Sequence, residues 1–131
     1  MMKSTLLILA LGFVFSFLVV AVADHHGGKS KKLRHVVAFK FKADAPEAGV
    51  KKVVDAFRAL PKTIKEIKAF EWGTNVSPEK HDKGFTHMFT LTFDSAADRD
   101  AYLVHPDHKA FGQTLGPVFE DVFVIDYWTQ D

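Results

Sequence analysis

The 131-residue chain carries 17 Lys+Arg against 16 Asp+Glu, 13 phenylalanines and no cysteine. Charge this evenly balanced argues against nucleic acid or an anionic lipid surface as the main partner, and the missing cysteines exclude a disulfide scaffold. The length suits one domain, held together by packing that the phenylalanines are able to supply.

The chain opens with a short basic start, Met1 to Lys3. Leu6 to Val20 is then apolar apart from one glycine and one serine, and Ala21-Val22-Ala23 closes the run. This three-part pattern predicts a secretory signal peptide over residues 1–23, cleaved after Ala23, with a secreted or periplasmic product. The competing expectation is an uncleaved anchor, since Ser4 to Ala23 is about long enough to span a bilayer. After cleavage no membrane partner is expected. The new terminus would begin Asp24-His25-His26, whose free amine, two amides and third-position imidazole can make a square-planar Cu(II) or Ni(II) site, although an incidental tail is the default. "DHHGGKSKK", residues 24–32, is polar, glycine-containing and without periodicity, and is expected to be a flexible lead-in.

The folded domain is expected over residues 33–128. "RHVVAFKFK" alternates, with His35, Val37, Phe39 and Phe41 on one side, which is the period of a strand. Asp44, Pro46 and Glu47 read as a capped helix start, with Asp44 as the cap. Val50, Val53, Val54, Phe57 and Leu60 follow at helical spacing until Pro61. A second strand is expected over Ala69 to Val76. A third, "FTHMFTLTF", places Phe85, His87, Phe89, Leu91 and Phe93 on one face. Ser95 with Asp98 opens another helix. In "AYLVHPDHKAF" the proline splits that helix at His105-Pro106, because proline is costly inside a helix and harmless at the start of one. Gly116-Pro117 stops the second piece, and "DVFVIDYW" is the last strand.

The order β-α-β-β-α-β, with its second helix split, predicts an α+β, ferredoxin-like subunit: a four-stranded antiparallel sheet with helices on one face. The other face carries Thr, Met, Ala and Val mixed with lysine, too apolar to stay wet. A homodimer through the sheet is therefore expected.

His35 and His87 fall on the helix-facing side of their strands, and His108 heads a helical stripe with Phe111 and Leu115. Tyr102 approaches the same layer. A buried polar ring without a partner costs on the order of 1–3 kcal/mol, so these rings either bond to one another or line a cavity holding water or a ligand. Packed, satisfied core histidines are the alternative. His105-x-x-His108 with Asp107 supplies metal-ligand types, but Pro106 disrupts the turn that would pair the histidines; no metal and no cofactor are expected.

"RHVVAFKFK", "FEWGTNVSPE", "GFTHMFTLTF", "AYLVHPDHKAF" and "DVFVIDYW" together resemble the stress-responsive A/B barrel (Dabb) family over nearly all of residues 33–128. The resemblance implies a dimeric α+β barrel. Many members are small heat-stable proteins with no assigned reaction. One plant member is a cyclase that closes a linear polyketide by an intramolecular aldol condensation, using a tyrosine and a histidine. On this resemblance the catalytic positions fall on Tyr102 and His108, and the ligand pocket on His35, Val37, Phe39, Phe57, His87 and Phe111. Phe57 stands where the cyclase offers the pocket a second tyrosine, which argues against the same substrate, as does export away from a coenzyme A-linked polyketide. The function expected is an exported A/B barrel homodimer that binds a small hydrophobic or aromatic molecule in a His-lined pocket, with cyclase-like aldol chemistry as its candidate reaction. The alternative is a non-catalytic structural stress protein with a packed, ligand-free core. A heme-binding relative would need His87 as axial ligand, and no sequence feature selects that.

Overall fold

The computed structural model describes residues 30–131. The expected signal peptide, most of the lead-in and the Asp24-His25-His26 terminus lie outside these residues. Among the described residues, no helix is long and apolar enough to cross a membrane.

The elements follow the expected order: β1 (Leu33–Phe41), α1 (Glu47–Ala59), a 3-10 turn (Leu60–Lys62), β2 (Ala69–Thr74), β3 (His87–Phe93), α2 (Ala96–Val104), α3 (Pro106–Gln113) and β4 (Phe119–Trp128). The strands form one sheet in the order β2-β3-β1-β4, and every pair is antiparallel. This is the ferredoxin-like arrangement. Lys32 is already tied to the end of the sheet, because its N–H donates to Thr129 Oγ1 at 2.9 Å and its carbonyl accepts from Thr129 N at 2.9 Å.

Alternation assigns the two faces. Val37, Phe39, Phe89, Leu91 and Phe93 meet Val53, Val54 and Phe57 of α1 and Phe111 of α3 in a single buried core. Phe57 lies at its centre, with ring centroids 4.4 Å from Phe89 and 4.5 Å from Phe111. Close-packed rings of this kind contribute beyond their simple area burial. Gly49 on α1 has its own reason: a Cβ there would stand 2.7 Å from Val118 Cγ1. The missing side chain lets the loop before β4 close on the helix.

Three boundaries differ from the sequence expectation. Asp44 does not cap α1; Pro46 is the N-cap residue, and no side chain bonds to the helix end. A proline disfavours helical backbone in the residue before it, so the helix cannot begin earlier. β2 stops at Thr74, leaving Val76 91% exposed. β3 starts only at His87, and the Phe85 ring sits on the opposite face, 6.2 Å from Phe123. Lys83 and Gly84 both adopt positive φ (52° and 87°) in the turn just before, which breaks the two-residue period that the sequence extends through Phe85.

Candidate functional site

The Ser95 side chain accepts the Asp98 N–H at 3.0 Å and starts α2, whose last turn carries Tyr102 into the core at 0% exposure. His105 then adopts extended backbone (φ −62°, ψ 137°), ending α2 and capping α3; its Nδ1 accepts the Asp107 N–H at 3.1 Å. Pro106 occupies the first position of α3, where its missing N–H costs nothing. The redirected chain brings His108 back against Tyr102, with ring centroids 4.4 Å apart.

His108 Nδ1 lies 3.1 Å from the Leu103 carbonyl. A carbonyl only accepts, so Nδ1 carries the hydrogen and Nε2 presents its lone pair. Burial pushes the His108 pKa below its ordinary value, an effect that the bond to Leu103 opposes and that His35 and His105 reinforce. The ring is therefore neutral at pH 7. Tyr102 moves the other way: burial, and then the Asp126 carboxylate, raise its pKa well above that of a free phenol. Its hydroxyl stays protonated.

His35 completes the cluster from β1, its ring edge-on to Tyr102 at 5.6 Å. Asp126 stands opposite His35 in the β1–β4 ladder and takes its Nδ1 at 2.6 Å. The second Asp126 oxygen accepts from Arg99 Nη1, and Arg99 Nε reaches Asp100 at 2.7 Å. A guanidinium, a carboxylate and an imidazole thus run in line toward the Tyr102 ring.

The structure brings together Tyr102, His108 and His35, and it sets His87 apart. Leu91 is the cross-strand neighbour of His35, and His87 lies four residues before it on β3, about 13 Å along the strand. There His87 meets Phe41 edge-on at 5.0 Å, stacks near Trp72 at 6.5 Å, and has its pKa lowered by burial. Val37, Phe39, Phe57 and Phe111 are buried against one another as core.

Asp126 and Arg99 are the residues that sequence reasoning missed. The available signal was an acid that follows Val122 and Val124 on one side of β4, in step with the helix-facing side of β1. α2 lies over β1 and β3. On the same side of β4, Val122 and Val124 remain exposed. An apolar ledge therefore continues from Asp126 along the strand.

The fold and cluster define a ferredoxin-like subunit with a phenol and an imidazole packed together at a helix corner. The model of the Stress responsive A/B Barrel Domain matches residues 33–129, and the chain belongs to that family. It is similar to olivetolic acid cyclase of Cannabis sativa, 28% identical over 95 residues that cover 72% of this chain and 94% of the cyclase. It is 33% identical to the stress-response A/B barrel domain-containing protein HS1 of Arabidopsis thaliana, covering 72% of this chain and 87% of that one. Among solved structures, hydroxynitrile lyase from Passiflora edulis superposes with a TM-score of 0.72 at 26% identity, covering 78% of this chain and 96% of the lyase. A Bacteroides fragilis protein, described as dimeric, ferredoxin-like and of unknown function, superposes with a TM-score of 0.61 at 30% identity, covering 73% and 94%.

Proposed function

We propose that this chain is an exported homodimer that binds a small hydrophobic or aromatic carbonyl compound beside Tyr102 and His108 and promotes aldol-type carbon–carbon bond chemistry on it. The observation that carries this reading is the His108 tautomer: its Nδ1–H is spent on Leu103, and Nε2 is a free base next to a phenol that keeps its proton. Similarity to a cyclase and to a hydroxynitrile lyase supports the class.

In this reading the apolar ledge of Val122 and Val124 receives the body of the ligand, and its carbonyl points at Tyr102. Nε2 of His108 removes the proton alpha to the carbonyl, and the C–H electron pair becomes the enolate. The Tyr102 hydroxyl donates a hydrogen bond to the developing enolate oxygen. The enolate carbon attacks a second carbonyl, and the imidazolium returns its proton to the new alkoxide, so the aldol step is balanced without a co-reactant. Positioned general-base help of this kind is worth roughly 10²–10⁴-fold. Asp126, held by Arg99, fixes the ring of His35 as a wall of the site.

The experiment is turnover of linear β-polyketo substrates by the wild type and by His108→Ala and Tyr102→Phe. Each variant is expected to lose at least a hundredfold in kcat/KM while remaining folded. Undiminished turnover in both variants ends the enzymatic reading. The tightly packed rings around Phe57 favour a second reading, a structural stress protein with a filled interior. Native mass spectrometry of the protein from its own host separates the two: a retained small molecule supports binding, and a bare dimer supports the structural role. The same spectrum reports whether the chain begins at Asp24, the start that cleavage after Ala23 would leave.

A further inference from the structure

The sheet face turned away from the helices holds a cavity of about 580 Å³. One rung of the sheet makes its floor: Gly73, Met88, Ala38 and Phe123 stand in register across all four strands. Two very small residues alternate with two large ones, and the hollow follows from that alternation. The segment between β2 and β3 supplies the wall, with the Phe85 ring 6.2 Å from Phe123. That wall is preformed. Asn75 N donates to the Thr86 carbonyl at 2.8 Å, Phe85 N to the Asp82 carbonyl at 2.9 Å, and Gly84 N to the Asp82 carboxylate at 2.9 Å. Gly84, at φ 87°, also leaves room for the Lys40 stem, since a Cβ there would stand 2.7 Å from Lys40 Cε.

Lys83 at the rim gives the occupant's acidic head an anchor. His81, Asp82 and Lys83 line the opening. The Asp82 carboxylate is engaged by a backbone amide, and nearby Lys40 is neutralised by Glu120 at 2.7 Å. Among the described residues, neither Lys83 nor His81 pairs with a carboxylate within 4.0 Å. An apolar hollow with the unpaired Lys83 ammonium at its mouth suits an amphipathic anion, and its volume falls within the range of small-molecule sites.

We propose that this open sheet face carries a second binding site, separate from Tyr102 and His108, for an organic anion with an apolar aromatic body and a single acidic head. The site stands on its own geometry and does not depend on the aldol reading. A homodimer assembled through the sheet would bring the partner copy over this face, so the assembled protein is the one to test.

The probe is 1-anilinonaphthalene-8-sulfonate, compared with neutral N-phenyl-1-naphthylamine. The wild type is expected to bind one sulfonate per chain with a blue shift in emission, moving the methyl resonance of Met88, the one methionine beyond Met1 and Met2. Gly73→Phe fills the hollow from a position where a Cβ meets nothing within 4 Å, and it is expected to weaken binding at least tenfold with the circular dichroism unchanged. Lys83→Gln should weaken the sulfonate about fivefold and leave the neutral probe alone, the size expected of one exposed ion pair. A dimer that excludes the probe, a Met88 methyl that does not move, or affinity unchanged by Gly73→Phe overturns the site. Equal affinity of wild type and Lys83→Gln for the sulfonate overturns the anionic specificity. If Gly73→Phe fails to fold, the smaller Gly73→Val and the wild-type Met88 shift decide.

Discussion

His35 and His108 show how an imidazole is kept in a greasy interior. Each has its Nδ1 satisfied by the protein itself, one by the Asp126 carboxylate and one by the Leu103 carbonyl. Among the described residues no buried side-chain polar atom is left without a partner. The strict two-residue period of β1 made the inward aspect of His35 legible in the sequence. Its partner was not, because Asp126 lies 91 residues away and only the β1–β4 register brings it opposite. The lowered pKa of His108 has a consequence for stability. Above pH 6.5, its ordinary value, the ring is neutral in both the folded and the unfolded chain. Below it the unfolded chain binds a proton that the folded chain refuses, so stability falls until the folded ring also titrates. His87, shifted down by burial, adds in the same direction. The Tm of the wild type should therefore drop more between pH 7.5 and pH 5 than that of His108→Gln. Parallel curves would show that His108 is not held neutral by the fold.

At the level of elements, the α2–α3 corner was legible because its signals are local. Ser95 with Asp98 and the His105-Pro106 step each act within three residues. That His105 closes one helix and starts the next was legible from the proline after it; that its own ring caps the second helix was not, since imidazole is an uncommon cap. His105→Ala is expected to cost about 1 kcal/mol, the usual worth of an N-cap, and to lower Tm by roughly 4–8 °C. His105→Asn, which keeps an acceptor at the cap, should recover most of that loss in the same thermal melts. The ends of β2 and β3 were misread because they are set by the turn at Lys83-Gly84 and by the bond from Thr86 N to the Phe39 carbonyl, 47 positions away. Neither leaves a trace in alternation.

For the whole molecule, the strand order followed from the element order, because few antiparallel arrangements of β-α-β-β-α-β bury both helices on one face. What covers the remaining surface is less legible. β4 is an edge strand whose outward side presents Phe123, Ile125 and Tyr127 at 48%, 47% and 49% exposure. Met88 continues that patch on β3. A contiguous apolar face on an open edge is the signature of an interface, and structural neighbours are described as dimeric. Light scattering on the purified protein should give twice the chain mass. Ile125→Glu, near the middle of the exposed row, should give the mass of one chain. A wild-type monomer would contradict the dimer.

Tyr102 and His108 work together only if the imidazole offers an unprotonated Nε2 to a guest beside the phenol. Nitrogen-15 correlation spectra of the histidine rings read this state directly. At pH 7 His108 should appear as the Nδ1–H tautomer, gaining its second proton only below pH 6.5. An Nε2–H tautomer, or a ring already charged at neutral pH, would contradict the account.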